Sequence, residues 1–173
     1  MAVHSVSKVD AASENALSIF SRQVRESANK PALRYKQGGS WLTYSWAEWD
    51  KMAREVAGGL KTLGLHTRER VSIVAGTRWE WVVAEMGSLM AGAVTVPIYQ
   101  SSTAEQVEYI VSDCGACVIF AEDPHQLEKL LDPAVRSKLS HVRKVVLMSQ
   151  EGEFEKPDAR GRTRVTLDEV LPK

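Results

Sequence analysis

The sequence predicts an α/β domain: a largely parallel sheet with helices on both faces, plus a small β-hairpin near the N-terminus. Two observations carry this. Residues 70–97, RVSIVAGTRWEWVVAEMGSLMAGAVTVP, read as strand, helix, strand. Short apolar runs also alternate with amphipathic helical patterns throughout residues 70–148, and consecutive strands joined through helices need crossover connections and therefore run parallel.

Within the organising unit, Val71, Ile73, Val74 and Ala75 form an apolar run ended by Gly76, as in a strand buried on both faces. Thr77 and Glu80 have capping-box spacing, which starts a helix at Arg78. Trp79, Val82, Val83, Met86, Leu89, Met90 and Ala93 recur at three- and four-residue steps, so this helix presses on the sheet. Gly92 is placed to end it, and Val94 to Val96 begin the next strand before Pro97 blocks further pairing.

Upstream, Ser13 or Asn15 caps a helix with Leu17, Phe20, Val24 and Ala28 on one face, closed by Asn29-Lys30-Pro31. Residues 32–35 and 41–44 flank Gln37-Gly38-Gly39 as a hairpin expected to cover a sheet edge. Ser45 and Glu48 form a second capping box, opening a helix with Trp46, Trp49, Ala53, Val56, Leu60 and Leu63 on one face. Gly64 stops it, with Leu65 in the hydrophobic position that follows a glycine stop. Downstream, Ser102 and Glu105 are the expected third box. Its helix carries Val107, Ile110, Val111 and Cys114 inward and stops at Gly115, and residues 116–121 form a buried strand. Asp123-Pro124 and Asp132-Pro133 each combine a cap with proline at the first helical position. Residues 142–148, VRKVVLM, are a fourth strand. Residues 1–12 are expected to be a disordered tail, 13–148 the domain, and 149–173 a polar loop with a short helix.

At 173 residues, 44% hydrophobic and 25% charged, the chain suits one soluble domain with a full core. Lys plus Arg and Asp plus Glu number 22 each, which leaves no electrostatic footprint for nucleic acid or an anionic membrane. The N-terminus lacks the basic start and apolar run of a secretory signal, so a cytoplasmic location is expected. Residues 81–98 are nearly apolar enough for a membrane span, but Glu85, two glycines and Pro97 interrupt them.

Cys114 and Cys117 form a C-x-x-C at the end of a helix, the wrong end for an acidified redox thiol, and no second pair completes a zinc site. They read as ordinary buried thiols. Gly87 and Gly92 have the spacing of a phosphate loop, but Ala93-Val94 replaces the required Lys-Ser/Thr and the stretch lies at a helix end, so it reads as a helix stop. His4, His66, His125 and His141 are scattered without ligand or relay partners, so no metal site is expected. The five tryptophans read as core, with an apolar ligand cavity as the alternative. In an open parallel sheet ligands bind beyond the carboxyl ends of the strands. That rim holds Thr77, Arg78, Tyr99, Gln100 and Ser101, the substrate-proximal candidates.

Taken together, Pro31 to Tyr35 (PALRY), Thr43-Tyr44, Gly64, Arg70-Val71, Glu80-Trp81, Ala91-Gly92-Ala93, Val96-Pro97-Ile98-Tyr99 and residues 105–120 occur in the order and spacing of a known family. The chain resembles the amino-terminal portion of the adenylate-forming acyl-CoA synthetases, most closely the long-chain fatty acid–CoA ligases. Thr77-Arg78 stands where relatives often carry Asn-Arg, and residues 66–69 replace the usual Gly-Asp before Arg70.

The resemblance implies the N-terminal domain of the adenylate-forming fold and, for a complete enzyme, fatty acid, ATP, Mg²⁺ and CoA as substrates and cofactors. It implies a cytoplasmic enzyme, peripheral to a membrane in its complete form, in which the rest of the synthetase chain is this segment's partner. The family's Ser/Thr/Gly-rich phosphate loop, its Tyr-Gly-x-Thr-Glu type motif, its ribose-binding Asp and its catalytic Lys do not occur in these 173 residues. No catalytic, cofactor-binding or metal residue therefore transfers to this chain, which is expected to be inactive alone and to self-associate. A short non-catalytic binding protein and a fatty acyl-AMP ligase remain the alternative readings.

Overall fold

The computed structural model describes residues 14–148; the expected N-terminal tail and the expected loop and short helix of 149–173 lie outside the described residues. Helix α1 (Ala16–Ser27) leads into a hairpin of β1 (Pro31–Gln37) and β2 (Ser40–Ser45), then helix α2 (Trp46–Thr62). Strand β3 (Arg70–Val74), helix α3 (Trp79–Met90), strand β4 (Val94–Ile98), helix α4 (Ala104–Cys114) and strand β5 (Ala116–Ala121) follow. Helices α5 (Pro124–Leu131) and α6 (Pro133–Arg136) and strand β6 (Lys144–Leu147) complete the described chain.

The four strands β4-β3-β5-β6 form one parallel sheet, in that order. Alternate residues divide between its faces, because side chains in a strand alternate. Val74, Ile119, Ala121 and Val145 pack under α4, α5 and α6 with Val107, Val111 and Leu127. Val71, Ile73, Val118 and Phe120 pack under α2 and α3 with Leu60 and Ala84.

Several helix ends follow the expected chemistry. Asn15 caps α1 and Ser45 caps α2 with Glu48, whose carboxylate accepts the Ser45 amide at 2.7 Å. Gly64 has φ of +80°, and the Leu65 amide reaches the Leu60 carbonyl at 3.0 Å. Asp123 and Asp132 cap the two proline-started helices.

Two caps differ from expectation. Helix α3 begins after Arg78, which makes no side-chain cap bond, because the Glu80 carboxylate meant for the box is held by the Arg78 guanidinium. Helix α4 is capped reciprocally by Thr103 and Gln106 in place of Ser102 and Glu105. The Ser102 amide is committed to a turn with the Tyr99 carbonyl at 3.0 Å, so the helix starts one residue later.

Pro97 does not end pairing: it lies inside β4, opposite Ile73. The amide of Val94 and the carbonyl of Ile98 both point to the β3 side, so Pro97, one residue out of phase, turns its missing N–H to the open edge. The hairpin is a separate two-stranded sheet and covers no edge of the parallel one. It rests on α2 and α3, through Tyr35, Tyr44 and Trp79, whose rings lie 5.0–5.7 Å apart. Phe20 packs on Trp46 and Trp49, seating α1 on α2. These five aromatic residues of α2, α3 and the hairpin, Trp46, Trp49, Trp79, Tyr35 and Tyr44, are packing residues, whereas Trp41 is 63% exposed. Among the described residues no helix is long and apolar enough to cross a membrane.

Candidate functional site at the carboxyl rim of the sheet

The ends of β3, β4 and β5 meet at one rim because the strands are parallel and in register. Beyond β3 the chain passes through Gly76, Thr77 and Arg78; beyond β4, through Tyr99, Gln100 and Ser101; beyond β5 stands Glu122. A cavity of about 420 Å³ opens there, lined by Gly76, Thr77, Arg78, Trp81, Tyr99 and Gln100 among others. The structure thus brings four of the five sequence candidates together. Ser101 does not line the cavity, and Tyr99 is 80% exposed.

Glu122 organises the rim and was not among the candidates. Its Oε2 accepts the Gly76 amide at 2.7 Å and its Oε1 lies 3.4 Å from Arg78 Nη1. Glu80 grips the same guanidinium through Nε at 2.8 Å and Nη2 at 2.6 Å. These bonds, that to Glu80 foremost, raise the Arg78 pKa further above its already high ordinary value against the opposing effect of burial. Gly76 also gives room: a Cβ there would lie 3.0 Å from Nε2 of the Gln100 side chain. The loop after β4 is tied down from α5, where buried Gln126 donates to the Gln100 carbonyl at 3.2 Å. Lys129 Nζ reaches the carbonyls of Gln100 and Ser102 at 2.7 and 2.8 Å. The signal for Glu122 was present in the sequence: a carboxylate directly after a fully buried strand belongs to the same rim.

This donor set positions loops and does not suit a polyphosphate. A triphosphate at the rim would meet one guanidinium already shared by two carboxylates, and Lys129 is spent on carbonyls. Among the described residues no cluster of three or more His, Cys, Asp or Glu side chains could hold a metal ion. Arg78 and Lys129 are already committed to carboxylates and carbonyls, a donor set that does not fit ATP phosphates.

The two cysteines are separate thiols. Cys114 packs with the α4 side of the sheet, while Cys117 lies in the cluster on the α2 side. Burial pushes the Cys117 thiol up, against the opposing pull of Arg143, whose Nη2 is 3.0 Å from the sulfur.

Comparison with known proteins gives this framework a family. The family described as AMP-binding enzyme matches residues 20–170. The chain is 30% identical over 140 residues to the long-chain-fatty-acid–CoA ligase ACSBG2 of Xenopus laevis, covering 81% of this chain and 19% of that protein. It is 44% identical over 88 residues to the long-chain-fatty-acid–CoA ligase FadD15 of Mycobacterium bovis, 50% of this chain and 15% of that one. Among solved structures, the anthranilate CoA ligase AuaEII in complex with anthranoyl-AMP superposes with a TM-score of 0.67 at 27% identity, over 78% of this chain and 25% of that chain. The chain thus spans about a fifth of the length of the curated relatives it matches. With the parallel sheet, its hairpin and its helices matching the N-terminal domains of such ligases, the chain belongs to the AMP-binding, adenylate-forming enzyme family and corresponds to an amino-terminal portion of it.

Proposed function

We propose that this chain is the amino-terminal part of a long-chain fatty acid–CoA ligase. The complete enzyme would join fatty acid and CoA at the expense of ATP, releasing AMP and diphosphate through an acyl-adenylate, in the cytoplasm and peripherally at a membrane. The observation that carries this reading is the 30% identity to a long-chain ligase across 81% of the chain, inside a family match that spans residues 20–170. In it, residues 13–148 are scaffold, and Thr77, Arg78, Tyr99 and Gln100 form part of the wall near the substrate, with Ser101 at its margin. The latched Arg78 supports a positioning task for this rim, since its charge is already neutralised by Glu80 and Glu122. The amides, lysine and Mg²⁺ that stabilise charge at the α-phosphorus would come from the rest of the synthetase.

The test is to read the gene beyond Lys173 and to measure fatty-acid-dependent exchange of diphosphate into ATP with this chain and with the full reading frame. Exchange by the full product, with palmitate favoured over benzoate and none above the blank from the 173 residues, is the expected result. A stop codon after Lys173 would establish instead a short binding protein. Exchange without subsequent CoA transfer would establish an acyl-AMP ligase.

A further inference from the structure

The outer half of the hairpin projects beyond the helices that support it. Paired residues of two strands point to the same face, so Tyr35 and Leu42 share the face turned toward Trp79. Tyr35 is half-buried there, yet Leu42 is 40% exposed, and every residue from 36 to 43 is exposed. Helices α2 and α3 thus cover the base of the hairpin and leave its end free on both faces. The turn is Gly38-Gly39, with φ of +55° and +83°, so no side chain at the tip holds it away from a surface.

The opposite face pairs Lys36 with Trp41 and Arg34 with Thr43. The Trp41 indole is exposed, and the Arg34 guanidinium carbon lies 5.7 Å from its ring centroid. One end of one element therefore presents an indole, a leucine and two cations to solvent. Its charge is also one-sided: residues 27–47 contain Lys30, Arg34 and Lys36 and no carboxylate. None of the described ion pairs engages Arg34 or Lys36. The balance of 22 basic and 22 acidic residues over the whole chain conceals this local excess.

A complementary surface must offer negative charge to the cations and, just beneath it, hydrocarbon to Trp41 and Leu42. An anionic bilayer has that order of layers: tryptophan favours the headgroup boundary, and basic side chains are drawn to acidic lipids. A second copy of the hairpin would set Arg34 and Lys36 against their own counterparts across a two-fold axis. An acidic protein or a nucleic acid would meet the charge and leave Leu42 without hydrocarbon.

We propose that the end of this hairpin docks the chain on an anionic lipid bilayer, with Trp41 and Leu42 entering the headgroup boundary and Arg34 and Lys36 meeting lipid phosphates and carboxylates. This deepens the ligase reading above and rests on it for its purpose, since a long-chain acid partitions into the same bilayer.

Co-sedimentation of the 173-residue chain with vesicles tests this, phosphatidylcholine alone being compared with phosphatidylcholine containing phosphatidylserine. Partitioning should be at least about tenfold stronger on the mixed vesicles and should weaken as salt is raised. Arg34→Glu with Lys36→Glu should lose at least about tenfold there, and so should Trp41→Ala with Leu42→Ser. Tyr109→Ser, at an exposed aromatic residue of α4, should leave it unchanged. Trp41→Phe should still bind, while losing the quenching of tryptophan fluorescence by brominated lipid chains. Absence of wild-type partitioning, an equal loss in Tyr109→Ser, or quenching that survives Trp41→Phe would each overturn the proposal. Self-association abolished by Trp41→Ala, without vesicle binding, would overturn it by giving the tip to a second copy. Vesicle binding needs no turnover, so its failure would leave the ligase reading standing, and absence of diphosphate exchange in the full product would do the reverse.

Discussion

Glu69 shows how a single carboxylate ties together the amino-terminal end of the sheet. Its Oε2 accepts the His66 amide at 2.7 Å and the guanidinium of Arg143, which in turn donates to the Gly64 carbonyl at 3.0 Å and contacts Cys117. Desolvation opposes ionisation here, but the His66 amide and Arg143 prevail and hold the Glu69 carboxyl below the ordinary value of 4.5. A depressed carboxylate contributes stability that is present above its unfolded-state pKa and lost as pH falls through the folded-state value. Urea unfolding of Glu69→Gln should therefore show a deficit against the wild type at neutral pH that closes as the pH is lowered from about 5 to about 3. A deficit independent of pH would remove the ion pair from the explanation. The sequence offered Glu69 only as a turn residue, because its partners Cys117 and Arg143 are far away along the chain.

At the scale of elements, the contact between α2 and α3 depends on a glycine whose spacing otherwise suggested a helix stop. Gly87 lies within α3, and a Cβ there would stand 2.6 Å from the Val56 Cβ and 2.8 Å from the Ala53 carbonyl oxygen. Alanine favours a helix interior by about 1 kcal/mol over glycine, yet here the backbone of α2 would have to retreat. Gly87→Ala should destabilise the chain by about 1–3 kcal/mol in urea unfolding. A gain in stability would show that the helices yield freely. Gly92, five residues on, does what a stop glycine does, with φ of +85° and the Ala93 amide on the Ser88 carbonyl at 3.0 Å. The spacing alone could not separate these two roles, since one is set by the chain's own φ and the other by a neighbouring helix.

Over the whole molecule, the sheet is well covered on the α4 side and less so at the carboxyl ends of β5 and β6 on the other. A cavity of about 400 Å³ opens there between α2, α3 and the sheet, lined by Met52, Val56, Leu63, Val146 and Met148 among others. Apolar surface of this kind favours association. The weight-average mass in sedimentation equilibrium should rise with concentration for the 173-residue chain; a constant monomer mass would show the cavity to be satisfied within the chain. The proline in β4 makes pairing through the β4 edge a poor route to such association, because its outward position offers no donor.

The sequence by itself determined the parallel α/β framework, the hairpin, and the caps at Ser45, Asp123 and Asp132. Those depend on periodicity and on bonds between residues two to four apart. It also located four residues of the rim, because a strand's carboxyl end is a local property. Only the tertiary structure decided that Glu122 and Glu80 share the Arg78 guanidinium, displacing the cap expected at Thr77, and that the hairpin sits on helices. Which of two carboxylates a cation meets, and which surface a hairpin covers, are settled by distances between segments far apart in the chain, and no local pattern records them.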